Sequence, residues 1–233
     1  MKYRVIISDP PWKFSDSLSM SDVKRGAESV YNVMSITDIK ALSVKDIAED
    51  DSVLLLWCPS SLLAEGLDVM KAWGFRQTQT HIWVKTKQYP LKDIASSLSG
   101  LKWLSDLKDM TSANDLWDLI RESLISFDLA NILAFGMGRL FRQTHELVLV
   151  GVRGKIYPHL ENKSQRSVHF FPATKHSTKP EALQDMLDKM FTSGNKLEMF
   201  ARRDRVGWTC VGLEASNSLG EDIRDSIERL KNL

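Results

Sequence analysis

The first apolar run of the chain, residues 5–7, is followed almost at once by the motif Asp9-Pro10-Pro11-Trp12. The run has the composition of a short buried strand, which must end at Pro10 because proline lacks the N–H that a sheet ladder requires. The motif is therefore predicted at the carboxyl end of the first strand. Ligands of open α/β sheets bind at that edge, so the motif is the first candidate for a functional site.

The order of residue types in this motif suits chemistry on an amine of a nucleobase, whose lone pair is delocalised into the ring. We expect Asp9 to accept one amine hydrogen and the Pro10 carbonyl to accept the other, so that the lone pair points at an electrophile. The fixed φ angles of Pro10 and Pro11 hold that carbonyl before substrate arrives, and Trp12 offers a flat face for an extruded base. Taken alone, the motif fits equally well a strand that ends in a turn, with Trp12 in the core.

Further stretches of the chain accompany the motif in a fixed order. They are Leu54-Leu55-Leu56-Trp57, Trp73-Gly74-Phe75, Ile82-Trp83-Val84-Lys85-Thr86, residues 146–154, Ser177-Thr178-Lys179-Pro180 and residues 197–202. With Asp9-Pro10-Pro11-Trp12 they resemble the DPPW-type adenine-N6 methyltransferases. That family includes the catalytic subunit of the eukaryotic mRNA adenosine methyltransferase and bacterial and phage relatives. The resemblance covers the chain except residues 88–135 and the C-terminal tail.

The resemblance implies a site-specific enzyme that transfers a methyl group from S-adenosylmethionine to the N6 amine of adenine. DNA is the first choice of substrate, because compact single-chain relatives are mostly bacterial or phage DNA enzymes. The resemblance also places Tyr31 near the substrate base, although Tyr31 could equally pack its loop onto the domain. RNA adenine methylation and a non-catalytic nucleic-acid-binding or partner subunit stay open as alternatives.

Alternating strand and helix patterns predict an α/β fold with a doubly wound parallel sheet and helices on both faces. The resemblance implies a Rossmann-like methyltransferase sheet in permuted order, with the catalytic motif first and the cofactor half last. Residues 13–34 are predicted to form a loop over the site. The predicted strands are 5–7, 52–57, 82–84, 147–152, 197–200 and 208–212, and helices are predicted within 35–42, 60–74, 177–194 and 220–233.

We expect a single domain over residues 1–233, with a helical insertion at approximately 88–135. Leucine and isoleucine recur in the insertion at helical spacing, which fits two or three helices. Its four basic and seven acidic residues give a net charge of −3, which is unfavourable for holding phosphate. Three roles stay open: recognition of target bases, a dimerisation hairpin, or a lid over core surface.

The stretch 139–166 reverses this balance, with six basic and two acidic residues and interleaved aromatic side chains. We expect Arg139, Arg142 and Lys155 to contact the nucleic-acid backbone beside the site. A run of charges is otherwise typical of a solvated face. The functional interpretation depends on the position of this stretch next to a strand of the catalytic sheet.

Several residues near the C-terminus are expected to hold the cofactor together with Asp9. Lys179 precedes a helix, where a cation is unfavourable unless it meets an anion such as a cofactor carboxylate or a substrate phosphate; otherwise it is a surface lysine. Glu214 follows the last strand, where an acid can bind ribose hydroxyls. The resemblance adds Phe200 and Arg202 to the pocket. Relatives usually carry asparagine where this chain has Leu213, which cannot make the hydrogen bonds of an amide.

Composition limits the remaining classes of function. The chain has 31 basic and 30 acidic residues, so nucleic acid must be bound by a local patch. Cys58 and Cys210 lie in apolar runs and are interpreted as free thiols, and the histidines lack metal-ligand spacing, so no metal is expected.

No apolar run approaches the about 20 residues of a membrane span, and we expect a cytoplasmic protein, in the host cell if it is phage-encoded. Nucleic acid is the expected partner, and a homodimer or heterodimer stays open.

Overall fold

The computed structural model describes residues 1–13, 33–89, 92, 118, 129–136, 138, 140–173 and 178–233. In that part of the chain, the strands are β1 Tyr3–Ser8, β2 Ala48–Cys58, β3 Arg76–Thr86, β4 His145–Arg153, β5 Val168–Pro172, β6 Lys196–Met199 and β7 Thr209–Val211. The helices are α1 Ile36–Lys40, α2 Val44–Ile47, α3 Leu63–Ala72, α4 Ala182–Met190 and α5 Ile223–Lys231. Short 3-10 helices cover Ser60–Leu62, Leu129–Ile132, Tyr157–His159 and Ser216–Ser218.

The strands form one mixed sheet in the order β5-β3-β4-β2-β1-β6-β7. Strand β1 is parallel to β2 and to β6, and β6 is parallel to β7. Strand β4 is antiparallel to β2, with Arg153 opposite Ser52 and Leu147 opposite Cys58. The predicted parallel sheet is therefore corrected at β4, whereas β2, β1, β6 and β7 are parallel as expected. A strand buried on both faces has the same apolar composition in either direction, so the sequence pattern does not reveal which way it runs.

Two hydrophobic clusters cover the two faces of this sheet. Along β2, Leu54 and Leu56 belong to the first cluster, and Leu55 and Trp57 belong to the second, as expected for a strand with a side-chain period of two. The first cluster includes residues of α1, α2, α3 and α5, whereas the second includes residues of α4. The predicted α/β fold with helices on both faces is confirmed.

The chain divides into two compact units. The first unit comprises Met1–Trp83, Glu146–His169 and Ser177–Leu233, and the second comprises Val84–His145 and Phe170–His176. Within the second unit, the Lys85 backbone bonds to Ala134 and to Thr144. Most of the predicted helical insertion at 88–135 lies outside the described residues, so the single domain and the insertion both stay predictions.

A histidine pair within the first unit gives the fold a dependence on pH. His81 on β3 lies 7% exposed with its Nε2 within hydrogen-bond distance of His169 Nδ1, and the two rings are stacked. Burial, together with the neighbouring His169, lowers the pKa of His81 to about 4, and burial lowers the pKa of His169. Both rings are therefore neutral in the folded protein near neutral pH.

We expect acid to begin to destabilise the protein as the pH falls below 6.5, the ordinary pKa of histidine. Between pH 6.5 and about 4, the unfolded chain binds a proton at His81 that the folded chain does not bind. The free energy of unfolding therefore falls with falling pH, by roughly 3 kcal/mol over this range for His81 alone. Urea denaturation at several pH values measures the slope. His81→Gln should flatten it, and an equal slope in the variant would contradict the assignment.

Candidate active site

A cleft of about 410 Å³, counting space open to solvent, lies at the carboxyl ends of β1 and β6. Ser8, the last residue of β1, lies opposite Met199, the last residue of β6, and opposite Leu56 of β2, which ends two residues further on at Cys58. The lining residues are Ile7, Asp9, Trp57, Thr178, Lys179, Glu198, Met199, Phe200, Arg202 and Arg203. The cleft is thus at the edge that the first motif predicted, and all of its lining residues belong to the first unit.

Asp9 and Lys179 form the central ion pair of this cleft. Lys179 Nζ lies 2.9 Å from Asp9 Oδ2 and 3.2 Å from Glu146 Oε2, and the Lys179 side chain is 18% exposed. The same nitrogen lies 5.3 Å from the centre of the Trp57 ring. Burial alone would lower the pKa of Lys179, but the two carboxylates outweigh it and raise that pKa above its usual value. Lys179 is therefore a fixed positive charge between Asp9 and Glu146.

The two prolines after Asp9 lie in a hydrogen-bonded turn. The N–H of Trp12 donates to the Pro10 carbonyl at 2.9 Å, and the N–H of Met34 donates to the Pro11 carbonyl at 2.8 Å. The N–H of Lys13 donates in turn to the Met34 carbonyl. The Pro10 carbonyl is thus held in place with one of its two lone pairs already used, which leaves one for a further donor.

The structure places Trp12 in the first-face cluster, with 4% of its surface exposed. Its indole N–H donates to the Trp57 carbonyl at 3.0 Å and so fastens the motif to the end of β2. The cleft is lined instead by Trp57, which belongs to the second-face cluster. Stacking of a base on Trp12 stays a prediction, and it requires the ring to become uncovered.

Glu198 is a second carboxylate of the cleft. It lies on β6 opposite Ile7 of β1, and its Oε2 accepts a hydrogen bond of 3.1 Å from Nε2 of the buried Gln184. Burial raises the pKa of Glu198, while the hydrogen bond from Gln184 and the charge of Arg203 oppose that shift. The carboxyl group is therefore more easily protonated than an ordinary glutamate.

Phe200 lines the cleft in a strained backbone conformation, with a φ of 61°. A residue with a side chain adopts this left-handed region at a cost of order 1–3 kcal/mol. The next residue, Ala201, donates its N–H to the Val211 carbonyl at 2.9 Å. Gly212 makes this close approach feasible, because a Cβ at that position would collide with the Ala201 backbone. The turn after β6 is thus shaped by its contact with β7.

The segment that follows this turn is bound to helix α4 by ion pairs. Arg203 Nε lies 2.8 Å from Glu181 Oε1, and Arg205 contacts Glu181, Asp185 and Asp188 at 2.7–2.9 Å. Because Lys179 lies just before α4, these pairs help to set the position from which Lys179 reaches Asp9.

A model of the MT-A70 family matches residues 3–105 and 120–214 of the chain. The chain belongs to the MT-A70 family. The predicted family is thereby confirmed.

Relatives of this MT-A70 chain come from bacteria and from eukaryotes. The Type II methyltransferase M.MunI of Mycoplasma sp is 25% identical over 228 residues, which cover 91% of this chain and 78% of that protein. An N(6)-adenosine-methyltransferase MT-A70-like protein of Arabidopsis thaliana is 23% identical, over 90% of this chain and 23% of its own length. The human N(6)-adenosine-methyltransferase catalytic subunit METTL3 is 22% identical, over 95% and 30% respectively. The chain therefore spans less than a third of these plant and human relatives.

The MT-A70 chain brings together most of the residues that its sequence singled out for the cofactor. Asp9, Lys179, Phe200 and Arg202 all line the cleft. Glu214 is exposed and does not line it, and the neighbouring Leu213 is 47% exposed. The roles assigned to these residues stay predictions.

The expected nucleic-acid contacts are more scattered. Lys155 follows the end of β4, and β4 runs away from the cleft edge because it is antiparallel to β2. Nine residues at about 3.3 Å each separate the two ends of β4 by roughly 26 Å. The expectation that Lys155 lies beside the site is therefore corrected. Arg142 is in the second unit, with its guanidinium 4.6 Å above the Phe135 ring, and Tyr31 and Arg139 lie outside the described residues.

Trp57, Glu146 and Glu198 are among the residues of the site that sequence reasoning missed. Glu146 and Glu198 each interrupt or adjoin an apolar strand run. A carboxylate in such a run is unusual enough to be a signal, because burial of an uncompensated charge is unfavourable. Trp57 had no comparable signal, since a tryptophan at the end of a buried strand is ordinary core composition.

Two further observations concern metals and membranes. Within the described ranges, no three His, Cys, Asp or Glu side chains converge as metal ligands, and the expectation of no metal stays a prediction. In the part of the chain that the structure describes, no helix has both the length and the apolar character needed to cross a membrane.

Proposed function

We propose that this protein is a site-specific enzyme that transfers a methyl group from S-adenosylmethionine to the N6 amine of adenine in DNA. The observation that carries the proposal is the position of Asp9, which lines a cleft at the carboxyl end of β1 and is paired with Lys179. The choice of DNA is supported by the likeness to M.MunI, a Type II methyltransferase of which the chain covers 78%.

The residues of the cleft fit S-adenosylmethionine by their chemistry. The cofactor carries an ammonium, a carboxylate and a cationic sulfur, and the cleft offers two carboxylates, Asp9 and Glu198, and two guanidinium groups, Arg202 and Arg203. The left-handed Phe200 adds an apolar ring to the same wall. When bound, the cofactor supplies a methyl group that is already activated, so the protein has mainly to position the amine.

Asp9 and Pro10 orient that amine in our proposal. The Asp9 carboxylate accepts one N–H of the adenine amine, and the remaining lone pair of the Pro10 carbonyl accepts the other. Lys179 keeps Asp9 in place and compensates its charge. When the nitrogen gains its bond to the methyl carbon it must lose a proton, and the Asp9 carboxylate is an acceptor already bonded to it.

RNA is the second candidate substrate, because the plant and human relatives are named adenosine methyltransferases. Tritiated methyl transfer to matched DNA and RNA oligonucleotides, followed by mass spectrometry of the nucleosides, distinguishes the two. We expect N6-methyladenine in the DNA at a rate at least about tenfold above that in the RNA. Higher incorporation into the RNA would contradict the choice of DNA.

A non-catalytic subunit of the same fold is the third candidate. Calorimetric titration with S-adenosylmethionine tests it, because a protein without a working cofactor site gives neither heat nor a thermal shift. We expect binding, since the ion pair between Asp9 and Lys179 is intact. Absence of binding together with absence of methyl transfer would favour the non-catalytic role.

A further inference from the structure

We propose that Glu198 recognises the positive charge on the sulfur of the methyl donor and so raises the affinity of the cleft for the donor relative to its neutral product. The inference rests on the proposed function, because it concerns the same cleft. It assigns Glu198 a role in specificity that is separate from the orientation of the amine by Asp9.

The register of the sheet directs Glu198 into the cleft. Its neighbours on β6, Leu197 and Met199, belong to the first-face cluster, so Glu198 faces the other side. Glu198 lies opposite Ile7 of the neighbouring strand β1, and Asp9 comes two residues after Ile7, just past the end of β1. Two neighbouring parallel strands therefore each bring one carboxylate to the same cleft.

Two of the cations that line the cleft with Glu198 form ion pairs with other carboxylates. Lys179 is shared between Asp9 and Glu146, and Arg203 pairs with Glu181 at 2.8 Å. Within the described residues, Glu198 makes no ion pair, and its hydrogen-bond donor is the neutral amide of Gln184. The charge of Arg203 acts on Glu198 without outweighing the effect of burial, so the carboxylate is incompletely compensated, and a cationic ligand in the cleft would compensate its charge further.

The sulfur of the methyl donor is the centre whose charge changes in the reaction. Methyl transfer breaks the bond from carbon to sulfur, leaves the electron pair on sulfur and converts the cationic sulfur of the donor into a neutral thioether. A carboxylate beside it stabilises the donor and not the product, which favours exchange of the product for new donor. Because the charge on sulfur is already decreasing in the transition state, Glu198 strengthens donor binding without accelerating the transfer itself.

Glu198→Gln tests the assignment, since it keeps the shape and the hydrogen-bonding capacity but removes the charge. Calorimetry measures its affinity for S-adenosylmethionine, for S-adenosylhomocysteine with its neutral sulfur, and for sinefungin, which carries an ammonium in place of the sulfonium. We expect S-adenosylmethionine and sinefungin to bind about tenfold more weakly, a loss of about 1.4 kcal/mol. The affinity for S-adenosylhomocysteine should change by no more than about twofold. In kinetics, the KM for the donor should rise while kcat does not fall.

The matched control is Glu228→Gln, which removes a carboxylate from α5 on the other face of the sheet. It should leave all three affinities unchanged. Glu198→Asp and Glu198→Ala repeat the comparison should the glutamine variant not fold: the first keeps the charge and its preference for charged ligands, and the second loses that preference.

Equal weakening of all three ligands by Glu198→Gln, or no change in any of them, would overturn the inference while leaving the proposed function intact. Failure of the unmodified protein to bind S-adenosylmethionine would instead overturn the proposed function and this inference with it.

Discussion

Asp9→Asn is expected to lower the rate of methyl transfer by about 10²- to 10⁴-fold, the range for loss of a positioned proton acceptor. The amide keeps one oxygen but replaces the other by an N–H group, which repels the amine hydrogen that the carboxylate would accept. It also weakens the contact of 2.9 Å with Lys179, because a neutral side chain replaces a charged one. Single-turnover transfer of tritiated methyl to DNA measures the effect independently of product release.

The matched control is Asp68→Asn on α3, where the side chain is 65% exposed and has a loose contact with Lys40. This variant should transfer methyl groups at the unmodified rate. If Asp9→Asn keeps its fold and transfers methyl groups at a rate within threefold of the unmodified protein, Asp9 does not take part in the reaction.

The second large effect is expected from Lys179→Met, which removes the positive charge between Asp9 and Glu146. Two carboxylates that share a site without a cation repel each other, and one of them is driven to bind a proton. We expect methyl transfer at pH 7 to fall by about 10²- to 10³-fold, with the acid limb of the pH–rate profile moved to higher pH. Rates measured between pH 6 and 9 test both statements.

Lys179→Arg provides the rescue, because it retains the charge, and it should recover most of the activity. In the double variant Lys179→Met/Glu146→Gln the competing carboxylate is also neutral, so the acid limb should return towards that of the unmodified protein. An identical pH profile in Lys179→Met and the unmodified protein would show that Lys179 does not control the charge at Asp9.

The sequence predicted the fold well where the signal was local. The apolar runs at 52–57 and 197–200 became β2 and β6, and the proline rule located the end of β1 at Ser8. These predictions depend on composition and periodicity within a few residues, which tertiary structure rarely overrides for buried strands.

Predictions failed where the information was long-range. The direction of β4 depends on how the chain returns from the second unit, and no local pattern contains it, so Lys155 was expected at the wrong edge. For Lys179, the local sequence predicted the need for an anion but not which residues would supply it. The helix argument predicted that it needs an anion, and in the structure it contacts Asp9 and Glu146, which are 170 and 33 residues away in the chain. A contact between Lys179 and the cofactor stays a prediction.

The backbone hydrogen bonds between Met34 and the motif hold the turn beside Asp9 in place, whatever the length of the chain between Lys13 and Met34. Met34 bonds to Pro11 and accepts from Lys13, so both ends of the intervening sequence are clamped at one point beside Asp9. Lengthening a closed loop costs little, since the entropy of closure grows only with the logarithm of its length. A change in the number of residues between Lys13 and Met34 should therefore cost little free energy and should leave the hydrogen-bonded turn at Pro10 and Pro11 in place.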